Sequence, residues 1–103
     1  MASGILGQSA PTATTNTTVY TVPSATTATF SFNVCNRGGS AITARVAIAS
    51  SDTPSDSEWV EYDVSIPANG VLERTGFVAQ AAERVVVYVS AATASISVYG
   101  YEA

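Results

Sequence analysis

The fold of this 103-residue chain is decided by three consecutive segments near its C-terminal end: N-G-V-L-E-R-T-G-F-V at 69–78, E-R-V-V-V-Y-V-S at 83–90 and S-I-S-V-Y-G-Y-E at 95–102. Large apolar side chains alternate with their neighbours in the last two segments, as they do when successive residues point to opposite faces of a sheet. The β-branched and aromatic content favours strands as well. The segments therefore predict three strands joined by two short connections.

Four further strands are predicted upstream, at residues 17–22, 27–36, 41–49 and 59–66. The alternation is cleanest in 27–36, where it places Phe30 and Phe32 in the core. In 59–66 it turns Tyr62 inward and Trp59 outward. Residues 71–78 alternate poorly, which indicates a β-bulge or two partly buried faces, and residues 79–82 are predicted to form a brief helical turn.

Together these patterns predict an all-β protein, an antiparallel β-sandwich of about seven strands. The strand order is left open between an immunoglobulin-like and a jelly-roll-like arrangement. Residues 17–103 are expected to form this single domain, since the length suits one core. Residues 1–16 are small and polar and predict an extended, flexible N-terminal arm, which either stays disordered or orders on a neighbouring subunit through the apolar pair Ile5 and Leu6.

Composition excludes several classes of partner. Charged residues make up only 12% of the chain, the net charge is −4, and the four basic residues are scattered arginines, so no nucleic-acid footprint is visible. No apolar run reaches the roughly 20 residues that span a membrane. The single cysteine, Cys35, forms no internal disulfide, and the N-terminal residues lack the pattern of a secretory signal, so we expect synthesis in a reducing cytoplasm.

Residue chemistry gives no indication of an enzyme. The chain has no histidine, and its one cysteine is too few for a zinc site. Asp52, Asp56 and Glu58 are best interpreted as a solvated loop rather than a calcium site. Glu61 and Asp63 share a strand face, as a pair of glycosidase carboxylates would, but outward alternation explains them without catalysis. We therefore expect no catalytic residues, no metal and no cofactor.

A set of short motifs occurs in a fixed order along nearly the whole chain: I-L-G-Q (5–8), Y-T-V-P (20–23), V-C-N-R-G (34–38), E-Y-D (61–63), L-E-R-T-G (72–76), E-R-V-V-V-Y (83–88) and S-V-Y-G-Y-E (97–102). In this order and spacing the chain resembles a group of small virion structural proteins of tailed bacteriophages, of the type frequent in cyanophages. The group includes capsid decoration (cement) proteins and tail-fibre modules.

The resemblance implies a virion component assembled in the host cytoplasm. The leading hypothesis is a capsid decoration protein that stabilises the shell of major capsid protein as a homo-oligomer, predicted to be a trimer. The alternative is a tail-fibre or baseplate module that binds host surface glycans or other tail proteins. The candidate interaction residues are apolar or aromatic side chains with exposed positions: Ile5, Leu6, Trp59, Tyr99 and Tyr101. For Trp59, covering the sandwich edge and anchoring an interface are both open.

Overall fold

The computed structural model describes residues 2–103, which form a sandwich of two four-stranded antiparallel sheets. The eight strands are β1 (Ser3–Ser9), β2 (Thr17–Thr21), β3 (Thr27–Asn36), β4 (Ile42–Ala49), β5 (Trp59–Ile66), β6 (Val71–Gln80), β7 (Arg84–Val89) and β8 (Ala94–Glu102). A short 3-10 helix, Asp56–Glu58, precedes β5. The predicted all-β sandwich is confirmed.

The strand order settles the arrangement that the sequence left open. One sheet, here called sheet A, has the order β1-β8-β3-β6, and the other, sheet B, has the order β2-β7-β4-β5. Each pair of consecutive strands from β1 to β8, except β4–β5, is divided between the two sheets. This is the eight-stranded jelly-roll order rather than an immunoglobulin-like order.

The prediction of seven strands was one too few, because residues 3–9 form an additional strand. β1 pairs with β8 in the same chain, from Ser3 opposite Tyr101 to Ser9 opposite Ile96. Leu6 packs against the core, and Gly7 lies so close to the carbonyl of Val19 in β2 that a side chain would clash. These residues are thus not the flexible arm that their small, polar composition predicted. Main-chain pairing to a partner 90 residues away supplies the stabilisation that their own side chains lack.

A hydrogen-bonded carboxylate ties the two ends of the chain together. Glu102, at the end of β8, accepts hydrogen bonds from the backbone N–H of Ala2 and from the hydroxyl of Tyr20. Burial, reinforced by this hydrogen bond, raises the pKa of Tyr20 well above its ordinary value. The same two donors lower the pKa of Glu102. The N-terminal strand is therefore anchored by side-chain contacts as well as by the sheet.

The core between the sheets contains the residues that alternation assigned to it. Phe30 and Phe32 are 2% and 0% exposed, and both stack on Phe77 of β6, with ring centroids 5.6 and 5.2 Å apart. The predicted bulge in β6 is also confirmed: the register against β3 shifts between Phe77 and Arg74, where Gly76 adopts φ +86°. This bulge returns Phe77 to the inner face. The helical turn predicted at 79–82 is wrong, because β6 continues to Gln80.

One end of the sandwich is held by a single buried polar side chain. Asn36 is fully buried, and its amide group donates to the carbonyl oxygens of Ser40, Ile66 and Pro67 at 2.8–3.2 Å. Its carbonyl oxygen accepts from the backbone N–H of Gly38 and from the hydroxyl of Thr93, both at 3.0 Å. The β3–β4, β5–β6 and β7–β8 connections therefore all depend on one residue.

Substituting Phe32 tests the assignment of the inner face. Phe32→Ala should lower the free energy of unfolding by roughly 3–5 kcal/mol, because it removes a ring that packs between the sheets. Val78→Ala, at a position that is 63% exposed, should change it by less than about 0.5 kcal/mol. Urea denaturation measures both values. A loss below about 1 kcal/mol for Phe32→Ala would mean that the face of β3 that carries Phe32 does not point into the core.

Removing β1 tests whether this strand belongs to the fold. Deletion of residues 2–9 exposes the edge of β8 and the part of the core against which Leu6 packs, so it should lower the free energy of unfolding by about 2 kcal/mol or more. Leu6→Ser should reproduce part of the loss. Thermal unfolding followed by circular dichroism measures both variants. An unchanged melting temperature is the outcome expected of a detached arm, and it would contradict the pairing of β1 with β8.

Substituting Asn36 tests the polar anchor. Asn36→Ala removes all five hydrogen bonds of this buried side chain, at about 0.5–1.5 kcal/mol each, so the total loss should be roughly 3 kcal/mol or more. Asn33→Ala is a matched control on the outer face of the same strand, where the loss should stay below about 1 kcal/mol. Similar denaturation midpoints for the two variants would show that the connections do not depend on Asn36.

Candidate interaction surfaces

The outer face of sheet A is almost without charge. We call it the neutral face; its outward side chains are those of Ser3, Ile5, Gln8, Thr27, Thr29, Ser31, Asn33, Cys35, Val71, Glu73, Val78, Gln80, Ser95, Ser97, Tyr99 and Tyr101. Glu73 is the one ionisable carboxylate in this set, and it accepts a hydrogen bond from the hydroxyl of Tyr99 at 2.6 Å. Several of the apolar members are exposed, among them Ile5 (55%) and Tyr101 (54%). Such a face is depleted in charge in the way that interface centres are.

The structure brings three of the five predicted interaction residues together and separates the other two. Ile5 lies opposite Tyr99 in the β1–β8 register, and Tyr101 follows on the same face of β8. Leu6 is not available for an interaction, because it packs against the core. Trp59 lies on sheet B, on the other side of the sandwich.

Trp59 covers a small second apolar cluster on the outer face of sheet B. It packs against Ala47, Ala49 and Val86, which are all 0% exposed. The outward position of Trp59 was predicted correctly. The burial of Ala47 and Val86 on the outer face was not predicted. Alternation shows to which face of a sheet a side chain points, but not whether another side chain covers it. The covering role of Trp59, one of the two that the sequence left open, is thus present in the structure.

Next to Trp59 an arginine lies between two tyrosine rings. The guanidinium carbon of Arg45 is 4.2 Å from the ring centroid of Tyr62 and 4.6 Å from that of Tyr88, at distances typical of cation–π contacts. Arg45 also forms a two-pronged ion pair with Asp63, at 2.6 and 3.2 Å. Hydrogen bonding to Arg45 lowers the pKa of Asp63. The ring of Tyr62 meets that of Trp59 edge to face at 5.6 Å.

The inward position predicted for Tyr62 is wrong, and two irregularities in β5 give the reason. Its register against β4 shifts on both sides of Val46, which lies opposite Glu61. Asp63 adopts φ +53° in the bulge. Tyr62 is consequently 57% exposed. No local sequence signal indicated this outcome, because the acidic residue on each side of Tyr62 favours outward positions for Glu61 and Asp63 and hence an inward Tyr62.

The bulge also separates Glu61 from Asp63. Glu61 forms an ion pair with Arg74 of β6 at 3.1 Å, and its side chain is only 12% exposed. Asp63 is paired with Arg45 on the outer face of sheet B. The two carboxylates that the sequence placed on one strand face therefore have different partners and do not form a facing pair.

Two of the three loop carboxylates have structural partners. Asp52 accepts hydrogen bonds from Thr18 and Arg84, which lower its pKa. Glu58 accepts from the backbone N–H groups of Ser50 and Ser55, which lower its pKa as well. The third, Asp56, has no hydrogen-bond or ion-pair partner within residues 2–103. The loop is thus clamped onto the sheet rather than simply solvated.

Asp56 lines a surface cleft of about 360 Å³ together with Trp59 and Tyr62. In the described part of the chain no three His, Cys, Asp or Glu side chains are grouped so that they could hold a metal ion. Among the same residues no helix is long and apolar enough to cross a membrane.

Comparison of the chain with protein-family models, with curated proteins and with solved structures finds no significant match. The fold and the surfaces therefore have to carry the functional argument.

The lowered pKa values predict a loss of stability in acid. The carboxylates of Asp52, Glu58, Asp63 and Glu102 have a lower pKa in the folded protein than their ordinary values of 3.8 (Asp) and 4.5 (Glu). Each contributes stability above its ordinary pKa that disappears as the pH falls through its folded-state pKa. The free energy of unfolding should therefore be flat between about pH 5 and pH 9 and decrease below about pH 4.

Urea denaturation over this pH range checks the prediction. Asp63→Asn should make the decrease shallower, since the ion pair with Arg45 no longer titrates. Val78→Ala, which removes no titratable group at an exposed position, is the control and should leave the profile as it is in the unmodified protein. If Asp63→Asn leaves the profile unchanged, the ion pair between Arg45 and Asp63 does not contribute to the loss of stability in acid.

Proposed function

We propose that this protein is a structural component of a bacteriophage virion, and that it decorates the capsid by docking on the major capsid protein. The observation that carries the proposal is the neutral face, a broad sheet surface with one carboxylate, which Tyr99 already binds. An interface of this kind buries few charges, so desolvation costs little when it docks on another protein. Its exposed apolar side chains, including Val78 and Tyr101, supply the area to be buried.

Two further points support the proposal. The ordered motifs along the chain resemble those of small virion proteins, and the jelly-roll strand order is one that viral capsid and lectin domains share. The second point is an analogy between folds and supports the class of protein rather than a particular role. Many copies on one particle would let modest single contacts hold firmly.

The structure changes the part proposed for the N-terminal residues. Ile5 lies on the neutral face and is available for docking, whereas Leu6 belongs to the core. We therefore propose that β1 contributes to attachment as one strand of the docking face and not as a free arm.

Self-association as a trimer stays a prediction, and light scattering at micromolar concentration checks it. A monomer under all conditions would contradict it.

Co-sedimentation with particles that lack the protein tests the docking face. Val78→Glu and Tyr101→Glu each place a charge within the proposed interface and should weaken binding by roughly tenfold or more. Ser65→Glu adds the same charge on the outer face of sheet B and should bind as the unmodified chain does. Equal binding by all three variants would contradict docking through the neutral face.

A second candidate location is the tail fibre or baseplate, where the protein would bind host surface glycans or other tail proteins. The cleft formed by Asp56, Trp59 and Tyr62 favours it, since a host-binding module needs a ligand site. A reconstruction of the intact particle distinguishes the two locations. Density on the capsid shell supports decoration, and density confined to the tail supports the second candidate.

A further inference from the structure

Tyr62 is placed on the surface by an irregularity of β5. Regular alternation would have buried this ring between the sheets. Instead, the bulge turns it outward, and Asp63 adopts a left-handed backbone conformation at φ +53°, which aspartate accepts more readily than most residues. Bulges that re-aim a side chain are frequent beside functional sites. The feature directs attention to what Tyr62 does on the surface.

The exposed ring is held in place before any ligand binds. Arg45 covers one side of Tyr62 at 4.2 Å and is itself fixed by its two hydrogen bonds to Asp63. Trp59 contacts the ring at 5.6 Å in an edge-to-face arrangement. A ring fixed in this way loses little conformational entropy on binding, which is the advantage of a preorganised site.

Packing accounts for some of these side chains but not for all of them. Trp59 has a structural role, because it covers Ala47 and Val86. Tyr62 remains 57% exposed, and the carboxylate of Asp56 has no partner among residues 2–103 although Asp52 and Glu58 of the same loop are both bonded. An exposed aromatic ring and a free carboxylate thus converge with Trp59 on one cleft of about 360 Å³.

The surroundings of Tyr62 decide which class of ligand suits the cleft. A cationic ligand would need the electron-rich face of an aromatic ring. Arg45 already occupies one face of Tyr62 with a positive charge. A neutral sugar ring has a C–H surface that can cover an aromatic side chain and hydroxyl groups that donate to a carboxylate. The combination of apolar walls with one oriented polar group is typical of small-molecule sites.

We propose that the cleft formed by Asp56, Trp59 and Tyr62 binds a pyranose sugar of a glycan, with the ring against the aromatic side chains and its hydroxyl groups donating to Asp56. The binding activity does not depend on where the protein lies on a virion. If the neutral face docks on the capsid, the cleft on the opposite sheet faces away from the shell. That orientation alone rests on the proposed function.

Trp59 makes the proposal directly measurable, because it is the only tryptophan in the chain. A glycan array of pyranose oligosaccharides identifies the bound sugar with the full-length protein. Titration of the tryptophan fluorescence with that sugar then gives the affinity at the cleft. Tetramethylammonium chloride is titrated in parallel as the probe for a cation site.

The variants distinguish the cleft from other exposed aromatic residues. Tyr62→Ala and Asp56→Asn should each weaken sugar binding by roughly tenfold or more, a loss of about 1.4 kcal/mol. Tyr101→Ala removes an equally exposed tyrosine from the neutral face and should leave the affinity unchanged. Unchanged thermal unfolding of each variant shows that a loss of binding is local.

Three results would overturn the proposal: no pyranose on the array is bound, the bound sugar is held equally well by Tyr62→Ala and Asp56→Asn, or tetramethylammonium changes the fluorescence and sugars do not. None of these results affects docking of the neutral face, which co-sedimentation measures separately. Failure of the Val78→Glu test, in turn, leaves the sugar-binding proposal intact.

Discussion

The side-chain amide of Asn36 is the contact on which one end of the sandwich depends. It is buried at the end of β3, where three connections between the sheets meet. It binds backbone groups of the β3–β4 and β5–β6 connections and the hydroxyl of Thr93 in the β7–β8 connection. Buried main-chain groups without partners are costly, so turns of this kind need either mutual pairing or a polar side chain among them. One asparagine can both donate and accept, which a carboxylate or an apolar residue at this position cannot.

The two sheets share one core but have very different outer faces. Sheet A is regular where β3 meets β8, with nine consecutive paired positions, and its outer face consists almost entirely of uncharged side chains. Sheet B is interrupted in β5, and its outer face holds Trp59, an arginine between two tyrosines and a clamped acidic loop. The two faces therefore differ in the contacts that we propose for them, protein docking for sheet A and ligand binding for sheet B.

Strain and charge are combined at β5. The positive φ of Asp63 is compensated by its ion pair with Arg45, so the backbone feature and the cation–π contacts stabilise each other. Glu61, on the other side of the bulge, pairs with Arg74 across the edge of the sandwich. Three of the four arginines in the chain bind carboxylates in this way. A chain with few charges has used most of them to fix local structure.

The sequence by itself determined the all-β class, the strands from β2 to β8 within a few residues and the core positions of Phe30 and Phe32, because each follows from a local period of two. A break in that period at 71–78 indicated the irregularity in β6 but left its kind open. Only the tertiary structure decided the jelly-roll order, the pairing of β1, the outward turn of Tyr62 and the position of Asp56 beside Trp59 and Tyr62. β1 has no periodic signal of its own and is stabilised by hydrogen bonds to β8, which is far away in the chain. Tyr62 depends on a register shift against β4, and a slip in register exchanges the two faces of a strand. Local alternation predicts a strand, whereas the partner of that strand decides which of its side chains can form a site.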